Sequence, residues 1–289
     1  MNDKSKIIAA ILILVGGFIT YYYTNSIISE RNNTESILSK ETSKKELPIE
    51  DSLFKIFAKE SDLEINHETK TITYKNADFA LKPELIDVYH RIGLLNQTHN
   101  SVIVYPIFTE AAYSKNGFYD YYKKKCDSSC LTVQLQHDFS GEYSASRAGF
   151  NVLRLLDYHY ITDVDIDKNP EILKKYDKVI LLHNEYVTKT EFDAIIKHPK
   201  VVYLYPNALY AEVTSNYDTD TITLIRGHGY PDAKIRNGFD WKFDNSNFEY
   251  DNSCTSWKFY EIDDGIMLNC YPEYIIFKNE SLLETIKNY

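Results

Sequence analysis

An α/β fold, with a mostly parallel sheet flanked by helices and preceded by one transmembrane helix, is what this 289-residue sequence predicts. Three observations carry that expectation. Short apolar runs at Val102–Ile107, Leu131–Gln136, Tyr158–Thr162, Lys178–Leu182 and Val201–Tyr205 alternate with helical patterns, the rhythm of parallel strands joined by crossover helices. Helix starts are marked between them: Asn169 precedes Pro170, a cap followed by proline at the first helical position, and Thr188 with Glu191 spells a capping box. Finally, no charged residue lies between Ile7 and Ile28, and that stretch is long and apolar enough to cross a hydrocarbon core of about 30 Å as a helix.

In chain order, residues 1–28 are a short cytoplasmic stub and membrane anchor. Lys4 and Lys6 precede the apolar stretch and Glu30 follows it, so the positive-inside bias leaves the N-terminus in the cytoplasm and the rest of the chain outside. No small-x-small cleavage site follows, which favours a retained anchor over a signal peptide. Residues 29–48 are polar and aperiodic, as in a flexible stalk. Residues 49–100 form a small appendage with a short helix near Asp51–Glu60, an alternating strand at Lys70–Asn76 and a helix started by Pro83. The α/β domain occupies residues 101–289. Beyond Val213, the runs Thr221–Tyr230 and Trp257–Phe277 finish or cover the sheet, and Pro272 breaks the second or holds it at an edge.

A hydrophobic content of 44% supports one sizeable core. The net charge of −10 excludes a nucleic-acid partner, since Lys123–Lys125 is too short a basic run to neutralise a phosphate backbone. In an extracytoplasmic, oxidising compartment the four cysteines favour disulfides over zinc, and local pairing of Cys126 with Cys130 and of Cys254 with Cys270 is the simplest of three connectivities. Sequons at Asn32, Asn96 and Asn279 are compatible with export.

Ligands of open parallel sheets bind beyond the carboxyl ends of the strands. Tyr113 follows the first strand, Tyr143 the second, and His183 with Glu185 the fourth, so four polar side chains are placed to meet on one rim. Other candidates read as ordinary. Asp163, Asp165 and Asp167 begin like a calcium loop, but Lys168 and Lys174 stand where glycine and glutamate are required. His137 and His228 sit in loops as surface residues, and Tyr119, Tyr121 and Tyr122 suit the core and surface of an amphipathic helix.

The runs Pro106–Tyr122, Phe150–Ile195 and Val201–Val213 together resemble the C-terminal domain of the large (beta) subunit of N,N-dimethylformamidase, over a little more than a third of the chain. That family's pattern has a Pro-x-x-Thr-x-x-Ala-Tyr run, a "TDVD" strand end, a "GHDEYWS" segment and a late Asn turn. The resemblance implies a class I glutamine amidotransferase-like (flavodoxin-like) sheet carrying Fe(III) on two tyrosine phenolates and one glutamate. Carried over residue by residue, it makes Tyr113 and Glu185 metal ligands, with Tyr143 as the second tyrosine by position alone. His183 then moves protons, and Asn207 occupies the turn where thiol amidotransferases carry their cysteine. Here Leu182, Asn184 and Val187 replace the family's Gly, Asp and Trp. Hard oxygen donors suit Fe(III) and leave positions open for water. The implied activity is a membrane-anchored, metal-dependent hydrolysis of small amides or related C–N bonds; the alternative is a catalytically silent binding domain of the same fold at the cell surface.

Overall fold

The computed structural model describes residues 44–66, 71–74, 77–95, 100–137 and 146–289. The anchor at 7–28 and most of the stalk lie outside the described residues, as do Asn32, Asn96 and Tyr143. Among the described residues no helix is long and apolar enough to cross a membrane.

A six-stranded sheet forms the centre. It contains Ser101–Tyr105 (β1), His159–Thr162 (β2), Lys178–Leu181 (β3), Val201–Tyr203 (β4), Phe259–Ile262 (β5) and Gly265–Leu268 (β6), in the order β5-β6-β4-β3-β1-β2. Every pair is parallel except the edge pair β5–β6. The inner strands are apolar on both faces because both are covered. Val102, Val104, Val179, Leu181, Val201 and Tyr203 point into one cluster, with Ile166, Leu173, Phe192 and Ile195 packed over them. Ile103, Ile180, Val202 and Leu268 point into the other, covered by Phe150, Leu153, Leu282, Leu283 and Ile286. The mixed α/β architecture with flanking helices is therefore as the sequence predicts.

Three local expectations are corrected. Thr132–Gln134 does not join the central sheet; it is the edge of a second, four-stranded sheet with Tyr186–Thr188, Ala211–Asn216 and Thr221–Arg226. In place of the helix at Asp51–Glu60 there is the strand Phe54–Ala58, whose alternate residues Phe54, Ile56 and Ala58 are buried, so a period of two prevails over the helical one, and only a single 3-10 turn, Glu60–Asp62, follows it. This strand pairs with Lys45–Glu46 and Ala77–Leu81. Tyr89, in the Pro83-started helix, anchors this unit by donating to the Leu53 carbonyl, 2.6 Å. The capping box at Thr188 is half formed: Thr188 accepts the Glu191 N–H, but the Glu191 carboxyl turns inward, buried and without a hydrogen bond.

Both expected disulfides are present, Cys126–Cys130 and Cys254–Cys270. Pro272 breaks the last run as expected, starting the turn Pro272–Tyr274 just after β6.

Candidate functional site

The helix Ile107–Ala112 (α1) leaves the carboxyl end of β1 and delivers Tyr113 at its C-cap. Its orientation is fixed from below by the "TDVD" segment. Thr162 and Asp165 make a complete capping box, and buried Asp163 accepts the Phe108 N–H of α1 at 2.8 Å. In the middle of α1, buried Thr109 accepts the backbone N–H groups of Glu185 and Tyr186, at 3.0 and 3.1 Å. The threonine of the Pro-x-x-Thr-x-x-Ala-Tyr pattern therefore holds the loop after β3. On its other side the Glu185 carbonyl accepts from Tyr210 and Ala211, and the Asn184 carbonyl accepts from Leu209. The loop is thus tied to the turn where Asn207 and Leu209 adopt φ of 63° and 56°.

The Glu185 carboxylate is fully buried and surrounded by donors. Tyr113 Oη lies 2.8 Å from Oε2, Tyr119 Oη 3.1 Å from Oε1, and the two phenol oxygens are 2.6 Å apart. His228 Nε2 is 2.5 Å from Oε1, and His183 Nε2 is 3.7 Å from Oε2. Burial works to raise the Glu185 pKa, but the facing His228, then His183 and Tyr113, outweigh it and hold the carboxyl below its ordinary value. His183 is lowered by its burial, which keeps the imidazole neutral and able to accept a proton. Burial, with Glu185 adding to it, raises Tyr119 far above the ordinary phenol range.

The structure brings Tyr113, His183 and Glu185 together as the sequence predicts. Tyr143 falls outside the described residues. Tyr119 and His228, read from sequence as a helix-face residue and a surface loop residue, both belong to the site. Six residues beyond Tyr113, Tyr119 folds back over it at the start of the short helix Phe118–Tyr122 (α2). The signal for His228 was its setting between two glycines, which permits left-handed backbone. The Asn207 amide is buried and faces Glu249, whose carboxyl is raised by burial while the hydrogen bond from Asn207 works to lower it; Glu249 also feels Glu185 and His228. Asn184 is fully buried and makes no side-chain hydrogen bond.

Tyr113 Oη, Tyr119 Oη and Glu185 Oε2 form a triangle with edges of 2.6, 2.8 and 3.5 Å, two of them close to the spacing of about 2.8 Å between neighbouring oxygen ligands that each lie about 2.0 Å from one ion, and the third longer. The donor set of two phenols and a carboxylate is of the hard type that Fe(III) takes. Among the described residues no three His, Cys, Asp or Glu side chains converge to hold a metal, so such a site depends on the tyrosines. No protein-family model matches this chain, and no curated protein matches it either.

Proposed function

We propose that this chain is a membrane-anchored, extracytoplasmic hydrolase of amide or related C–N bonds, on a glutamine amidotransferase-like sheet, with Fe(III) held by Tyr113, Tyr119 and Glu185. Tyr119 takes the place that the sequence suggested for Tyr143. The observation that carries this reading is the triangle of oxygens on a buried carboxylate. When bound, ferric iron supplies Lewis acidity to an amide carbonyl and acidifies water. Neutral His183, beside Glu185, then moves a proton between water and the departing amine. Asn207, buried in the turn that is tied to the Glu185 loop, orients the substrate amide. The two disulfides support an oxidising location, consistent with the apolar stretch at residues 7–28 acting as an anchor.

The second reading is a silent binding domain. The contact of Glu185 with His228 favours it, because that pair satisfies the carboxylate without a metal. Ferric reconstitution of the full-length protein separates the two. Phenolate-to-iron charge transfer should colour the protein, and Tyr113→Phe or Tyr119→Phe should bleach or shift the band. His183→Ala should keep the colour and lose hydrolysis of small amides. A protein that stays colourless, with Tyr113→Phe equal to the parent in stability, would leave the silent domain as the better account.

A further inference from the structure

The metal reading names three oxygen ligands, and the structure presents a fourth donor of a different kind. His228 Nε2 stands 2.5 Å from Glu185 Oε1, the carboxylate oxygen outside the triangle, which Tyr119 Oη also approaches at 3.1 Å, so the imidazole nitrogen and a tyrosine oxygen of the centre converge on one atom of Glu185. Its side chain is 19% exposed, whereas Glu185 is fully enclosed. The imidazole is fixed by rings: Tyr186 stacks on it at 5.5 Å and 20°, Tyr210 meets it edge-on at 4.6 Å, and Tyr122 lies 5.2 Å away.

The backbone is equally committed. Gly227, His228 and Gly229 have φ of 124°, 51° and 77°, an uncommon run for a stretch that includes a side-chain-bearing residue. The run is held by the hydrogen bonds His228 N–H to Arg236 C=O and Gly229 N–H to Ile235 C=O. A Cβ at Gly227 would stand 2.8 Å from the Cβ of Ala211, the residue whose N–H is bonded to the Glu185 carbonyl. The loop therefore presses against the segment that carries Glu185. Strained backbone of this kind persists where the surroundings over-determine it, and it clusters at functional sites.

We propose that His228 is a direct metal ligand, so that the centre is built from Tyr113, Tyr119, Glu185 and the Nε2 of His228. Imidazole suits iron as well as oxygen donors do, and three oxygens with one nitrogen leave two of six positions for water and substrate. This rests on the metal reading given above. The competing role is outside the coordination sphere, with His228 donating to Glu185 and only orienting it.

Cu(II) is a suitable probe, because a nitrogen bound directly to it splits or modulates the electron paramagnetic resonance signal. The full-length protein is loaded with Cu(II), and occupancy of this site is established by its loss in Glu185→Gln. The parent should show coupling to one imidazole nitrogen, retained in His183→Ala. His228→Gln, which keeps a hydrogen-bond donor for Glu185, and His228→Phe, which keeps a ring among the tyrosines, should both lose the coupling and bind the ion about 10- to 100-fold more weakly. Near-ultraviolet circular dichroism checks that each variant is folded. An ion bound at Glu185 without nitrogen coupling, or with coupling that disappears in His183→Ala instead, overturns the assignment of His228 and leaves the three-oxygen site standing. Full metal affinity in His228→Gln but not in His228→Phe makes it an orienting donor. No binding by the parent removes both the ligand and the metal reading.

Discussion

Glu273 shows how a single buried acid sets pH dependence in this protein. It accepts from Tyr205 Oη at 2.6 Å and from the Ala148 N–H at 2.8 Å, yet burial dominates and pushes its pKa up to about 7. The folded state binds this proton more tightly than the unfolded chain does. Its contribution is therefore fully present below about pH 4.5 and is lost as pH rises to about 7, on the order of 3 kcal/mol in all. Glu273→Gln keeps an acceptor oxygen and removes the ionisation. It should be more stable than the parent at pH 8, with little difference at pH 4, as measured by urea unfolding at both values. Parallel stability curves for the two proteins would refute this. At this scale Glu185, His183 and Tyr113 were legible because each directly follows a recognisable strand or helix. Tyr119 and His228 were not, because what brings them to Glu185 is the return of a short helix and of a glycine-flanked loop, geometry that no periodicity records.

Strand assignment succeeded where both faces of a strand are buried and failed where only context decides. The β1, β3 and β4 runs are buried throughout and almost wholly apolar, and they sit side by side at the centre. Thr132–Gln134 has exposed, buried and exposed residues in turn, a pattern that suits an edge strand of any sheet, and pairing with Thr221–Thr223 decided its place. The helix forecast at Asp51–Glu60 failed because polar Lys55 and half-buried Phe57 interleave the buried positions, and pairing with Ala77–Leu81 turns that alternation into a strand. Element packing also makes one substitution costly. Gly265 starts β6 where an added Cβ would overlap the Val201 carbonyl of β4. Gly265→Ala should destabilise by roughly 1–3 kcal/mol by forcing β4 and β6 apart. Gly229→Ala is the control: the nearest heavy atom to its added Cβ is 3.7 Å away, which leaves only the cost of its positive φ. Comparable thermal shifts in chymotrypsin-resistant, folded variants of both would argue against the close approach at Gly265.

Over the whole molecule, the disulfide Cys254–Cys270 closes a loop of sequence separation 16 that leads from the segment after Phe248 into the turn beyond β6. Chain-entropy reasoning gives that closure about 3 kcal/mol, and Cys126–Cys130, with separation 4, less. Cys254→Ser with Cys270→Ser should therefore lower the urea midpoint more than Cys126→Ser with Cys130→Ser; the reverse order would contradict the entropic account. The α/β architecture and the cysteine pairing were readable from sequence because they follow from local patterns. The division of strands between two sheets was not, because it depends on pairings between distant residues.

The loop from His183 to Glu185 is where the chain passes from one sheet to the other, leaving β3 and entering the strand Tyr186–Thr188. Thr109 fastens that passage by accepting two consecutive amide protons at once. Those two protons should be among the slowest in the protein to exchange with deuterated solvent, and their release requires α1 to part from the loop. A ligand that bridges Tyr113 and Glu185 would span the same joint. Its binding should therefore register as slower exchange at the amides of residues 209–211, which carry no donor atom of the site and whose N–H groups bond the Asn184 and Glu185 carbonyls.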